Sequence, residues 1–122
     1  MAYNENLAER LRQILHQKRV VFEEKKMMGG LCFLVDEKML VGLLTNKSTQ
    51  RPQLMARVGE NAYPLALNKD HASEMNFTGR SMKGFVFVDE AGIDFQDDLE
   101  DWVQMCLDFN PLAKKSKKKK KA

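Results

Sequence analysis

Several stretches of this 122-residue sequence carry residue types that could do chemistry. Gly79 to Gly84 sets two glycines around Arg80 and Lys83, a spacing similar to that of a phosphate-cradling loop. A nucleotide loop of that kind needs backbone amides at a helix start, with a lysine and a hydroxyl at its end. Here Phe85 follows Gly84, and the segment precedes an apolar, strand-like run. The glycines are therefore read as residues that turn the chain tightly. Arg80 and Lys83 stay as candidate ligands for an anion or an acidic partner, because the planar guanidinium fork suits carboxylates and phosphates.

The acidic run Asp94, Asp97, Asp98, Glu100 and Asp101 has neither the glycine nor the alternating oxygen ligands of a calcium loop. Carboxylates in the first turns of a helix are favoured by its dipole, which explains the run without a metal. His16 falls at a helix end and His71 in a polar loop, and neither cysteine has a base near it in sequence. Cys32 and Cys106 lie in apolar surroundings without a CxxC spacing and are read as buried free thiols. With no nucleophile, acid and base set in view, the expectation is a non-enzymatic protein without cofactor or metal. A polar cleft joining His16 or His71 to a carboxylate would be the sign of the alternative, a small-molecule enzyme.

Charge divides the chain unevenly. Lys114, Lys115, Lys117, Lys118, Lys119, Lys120 and Lys121 supply seven of the 20 basic residues, leaving 13 basic against 17 acidic, a net charge of −4 for the rest. A block of like charges without apolar residues cannot pack, so residues 111–122 are expected to form a disordered tail on a domain spanning 1–110. The tail lacks aromatic residues to stack bases and arginine to read them. Any nucleic-acid binding through it should be non-specific and salt-sensitive. No apolar run approaches the ~20 residues of a membrane span and the N-terminus lacks an apolar signal segment, so a cytoplasmic protein is expected.

The elements that would position these residues follow from periodicity. Leu7, Leu11, Ile14 and Leu15 form one stripe of an N-terminal helix that Asn4 or Asn6 can cap. Val20 to Lys26 reads as a strand whose EEKK segment protects a sheet edge by charge. Leu31 to Val35 and Met39 to Leu44, separated by Asp36, Glu37 and Lys38, read as a hairpin. A strand at Gln53 to Val58 and a short helix within Asn61 to Leu67 follow, with Asn68 to Glu74 polar. A strand at Phe85 to Val88 precedes a closing helix on Phe95, Leu99, Trp102, Val103, Cys106 and Leu107. Both hairpin strands and Phe85 to Val88 are apolar on both faces, so each sheet face needs a cover. The terminal helices cover one face; the other is left for a second copy or a protein partner. The fold class is α+β, two layers, with a mainly antiparallel sheet and the N- and C-terminal helices on one face.

Five strings in order carry a resemblance: KKMMGG at Lys25 to Gly30, the hairpin ending in Val41 and Gly42, MARVG at Met55 to Gly59, MNFTGRSMKGFVFV at Met75 to Val88, and DDLEDWV at Asp97 to Val103. Together they resemble the N-terminal domain of the TfoX/Sxy competence regulators over roughly residues 1–108. The resemblance implies a fold similar to type III secretion chaperones. It also implies a link to transcriptional regulation, since full-length members activate competence genes alongside a cyclic-AMP-responsive regulator and carry a second domain. Met28 departs from the family pattern, which commonly has Phe there, but is large and apolar enough to pack similarly.

Overall fold

The computed structural model describes residues 4–27, 29–46, 49–77 and 80–113. Of the two caps the sequence offers for the first helix, Asn4 is used: its side-chain oxygen accepts the Leu7 N–H at 3.0 Å, satisfying an amide the helix cannot. Helix α1 (Glu5–Gln17) buries Leu7, Ala8, Leu11, Ile14 and Leu15 on one stripe. It ends at Lys18, where the chain turns through Arg19.

Six strands follow in a single antiparallel sheet: β1 (Glu23–Met27), β2 (Gly30–Val35), β3 (Lys38–Thr45), β4 (Pro52–Arg57), β5 (Ala72–Phe77) and β6 (Arg80–Asp89), in the spatial order β1-β2-β3-β4-β6-β5. The β2–β3 hairpin turns on Asp36 and Glu37, both in the left-handed region, as a two-residue turn of that twist requires. The charged β1 is an edge strand. Helix α2 (Tyr63–Leu67) begins with Pro64 in its first turn, and α3 (Gln96–Phe109) carries Asp97 and Asp98 in its first turn.

Two sequence expectations are corrected. The polar stretch before Phe77 is strand β5, and β6 begins at Arg80 rather than Phe85, so Arg80 and Lys83 belong to a strand and not to a turn. Phe95, placed on the apolar stripe of the last helix by its spacing, lies just before that helix and is 71% exposed.

One sheet face meets the helices. Leu31 and Phe33 of β2, Val41 and Leu43 of β3, Leu54 and Ala56 of β4, and Val86 and Val88 of β6 join the buried stripes of α1 and α3 in one core. The register shift at Phe33/Leu34 leaves Leu40 and Val41 both in that core. The two long helices lie side by side and point the same way. Arg10 reaches the Asp94 carbonyl (3.0 Å) at the start of α3, and Lys18 reaches Gln104 (2.7 Å) two turns on. Arg12 ties α1 to the sheet edge, donating to both Glu24 oxygens at 2.7 and 3.0 Å. The end of α3 is fastened to the hairpin turn: Lys38 Nζ donates to the Asn110 carbonyl (3.1 Å), and Asn110 Nδ2 donates to the Val35 carbonyl.

Cys106 sits fully buried in this core and receives the Arg57 backbone N–H. Loss of hydration pushes its thiol up to about 12 from an ordinary 9.0. The unfolded thiol ionises first, so its contribution is intact below pH 9 and is lost as pH rises from there toward 12, at about 1.4 kcal/mol per pH unit. Urea unfolding at neutral and at high pH should show that slope, and Cys106→Val should remove this thiol's share of it.

Candidate functional site

The opposite sheet face is built by the alternate residues of the same strands. Paired rows place Lys25, Cys32, Gly42, Met55, Phe87 and Ser73 side by side across the sheet. The neighbouring row holds Glu23, Leu34 and Met39, with Arg57 and Phe85 paired beyond them. Its centre is a second apolar cluster: Cys32 and Met55 buried, with Leu34, Met39, Phe85 and Phe87 half-buried around them. Every member comes from the sheet, and among the described residues no helix contributes to it. Met55 is fully buried, and its Cε end occupies the space over Gly42, where an added side chain would meet it at 2.9 Å. Burial also pushes the Cys32 thiol up, which makes it a poor nucleophile.

The rim of this face is charged. Glu23 and Lys25 stand exposed on β1, and Asp89 stands exposed at the end of β6. At the other end, the Arg57 guanidinium carbon lies 5.4 Å from the Phe85 ring centre and 5.8 Å from that of Phe109. Burial pushes this guanidinium down from its ordinary value.

A polar cleft of about 300 Å³ opens near the β5–β6 edge. In it His71 Nδ1 lies 3.2 Å from Asp89 Oδ1, and Arg51 makes a two-pronged contact with Glu90 at 2.8 Å on each arm. This is the histidine–carboxylate pairing that would signal acid–base chemistry. Its members are nonetheless open to water, 45% and 61% exposed. Asp89 Oδ1 also accepts the Gly92 N–H at 3.2 Å, so the carboxylate holds the turn that follows β6. His16 packs edge-on against Phe22, 5.4 Å between ring centres. Among the described residues no three His, Cys, Asp or Glu side chains gather as metal ligands, and no helix is long and apolar enough to cross a membrane.

The backbone of Arg80 and Lys83 runs in β6, and their side chains lie outside the described part of the structure. Lys114, Lys115 and Lys117 to Lys121 lie outside the described residues. Packing continues to the last described residue: Asn110–Leu112 form a 3-10 turn and Ala113 is buried.

The family model of the TfoX N-terminal domain matches residues 15–110, from the last turn of α1 to the end of α3. The chain belongs to the TfoX N-terminal domain family. A search among curated proteins finds no match. The matched span takes in all six strands, and hence both faces of the TfoX N-terminal domain sheet. Sequence reading located the second apolar face of this domain through the double-sided hairpin. It missed Arg57 with Phe109 and His71 with Asp89, whose partners are far apart in the chain.

Proposed function

We propose that this TfoX N-terminal domain is a non-enzymatic interaction module, linked to transcriptional regulation, whose open sheet face docks a second copy of the chain. The observation that carries the reading is the apolar patch of half-buried Leu34, Met39, Phe85 and Phe87 around Met55, over which no helix lies among the described residues. A second copy suits it because the rim of the face carries both signs of charge on opposite sides of the patch, Glu23 and Lys25 on β1 and Asp89 on β6. A two-fold axis parallel to the strands sets each Lys25 over the partner's β5–β6 edge, which makes the surface self-complementary. Four strands at ~4.8 Å and roughly three outward residues at ~6.8 Å give a flat patch of about 400 Å². That is small for a permanent dimer and fits a reversible one.

Sedimentation velocity over a concentration series tests this. The expected result is a reversible dimer with Kd on the order of 10 μM. Phe87→Lys should weaken it at least tenfold, with an unchanged far-ultraviolet circular dichroism spectrum. A monomer at every concentration would remove the reading.

A second reading rests on the +7 lysine run beside a body of net charge −4. It makes the chain an auxiliary, sequence-independent nucleic-acid binder. Retention on random duplex DNA should then fall steeply with salt and disappear when residues 114–121 are deleted. Undiminished retention after the deletion would take the tail out of consideration.

A further inference from the structure

Beyond the sheet face lies a groove of about 640 Å³, formed where the β4–α2 connection, the middle of β6 and the end of α3 meet. Its floor depends on glycine. The Gly84 carbonyl accepts both the Val58 and Gly59 N–H groups, at 2.8 and 3.0 Å, and Gly84 holds φ +92 with Gly59 backbone 3.3 Å from where its Cβ would stand. The Phe109 ring lies directly on Gly59, in space a side chain would fill. Val58, Met105 and Phe109 give apolar walls. The guanidinium of Arg57, 5.4 Å from the Phe85 ring centre and 5.8 Å from that of Phe109, is the cation that the described residues bring to the groove. Glu60 and Asp108 are exposed acids on its lining.

The volume and make-up are those of a small-molecule site: mostly apolar, with few polar groups to fix orientation. The charges narrow the ligand. Among the described residues, a simple anion meets one cation against two carboxylates, and a simple cation meets a guanidinium that lies near two aromatic rings. A molecule carrying both charges beside a hydrocarbon group satisfies all three. We propose that this groove binds a free α-amino acid with an apolar side chain. Its carboxylate lies on the half-buried Arg57, its ammonium toward Glu60 and Asp108, and its side chain against Val58, Met105 and Phe109. The guanidinium has five N–H donors in a planar fork, so it can take a carboxylate alongside other contacts. Burial has stripped it of part of its hydration, which strengthens its attraction for an entering anion. The groove shares Phe85 with the self-association face, so its test is run on dilute full-length protein, where the chain is monomeric.

The experiment is a titration of the isotopically labelled chain with L-leucine, followed by the amide resonances of Gly59 and Gly84. L-leucinamide, which lacks the carboxylate, and isocaproate, which lacks the ammonium, are titrated in parallel. Leucine should move both glycine amides saturably, with Kd on the order of 1 mM. Each truncated probe should bind at least tenfold more weakly. Arg57→Gln should bind leucine no better than the unaltered chain binds leucinamide. The comparison of probes is made on the unaltered chain, so it stands even if that variant fails to fold. Leucinamide or isocaproate binding as tightly as leucine, or Gly59 and Gly84 left unmoved, overturns the proposal.

Discussion

Phe33→Ala should lower the stability of the folded chain by about 4 kcal/mol, the range for deleting a buried aromatic ring. Phe33 is completely buried on the helix-facing side of β2, paired across to Val41, and its ring centre lies 5.8 Å from that of Phe22. Removing the ring loses its transfer free energy and leaves a cavity that strands on both sides and helices above cannot close. In a domain of this size the melting temperature should drop by roughly 15 °C. The informative control is one residue away. Leu34 points to the other face, is half-buried, and has no helix over it among the described residues. Leu34→Ala should cost only about 1 kcal/mol in the monomer. Equal losses for the two variants, measured by urea unfolding at low protein concentration, would mean that both faces are equally roofed, and the two-layer description would fail.

That contrast also explains what the sequence discloses. Residues Leu31 to Val35 are apolar without interruption, which announces a strand wanted on both faces, and the structure supplies helices for one of them. The periodic stripes of α1 and α3 are equally plain, since burial against a sheet demands them. Strand β5 is hidden because an edge strand need bury little. Ala72 packs on the core while Ser73 and Glu74 stay exposed, so the first half of β5 reads as the end of the polar stretch Asn68 to Glu74. The glycine at the centre of β6 misleads for a different reason. Gly84 was expected to turn the chain, but its positive φ is absorbed inside a strand that continues on either side, where its carbonyl takes two amides from the β4–α2 connection. The groove and the His71–Asp89 pair could not be read at all. Arg57, Gly84 and Phe109 belong to three separate elements, and His71 meets Asp89 only because β5 and β6 are paired.

The adjacent glycines before β2 should behave quite differently when replaced, although nothing in the sequence separates them. Gly29 has φ +74, and a side chain there would meet nothing within 4 Å among the described residues. Gly29→Ala should therefore cost about 1 kcal/mol, the strain of a Cβ in the left-handed region and little else. Gly30 has no such φ, but an added Cβ would be driven into the Leu43 carbonyl and would stand 2.6 Å from Leu44 Cδ2. The carbonyl belongs to the β2–β3 ladder beside the Leu31–Leu43 pair, so it cannot yield without opening the sheet between the hairpin strands. Since Gly30 also pairs with Met27, the same shift would loosen β1. Gly30→Ala should cost about 3 kcal/mol, with faster amide exchange at Leu31 and Leu43. Should the two substitutions prove equally mild, the close approach of β2 to β3 at Gly30 would be wrong. The register that places Cys32 beside Gly42 and Met55 on the open face would then lose its anchor.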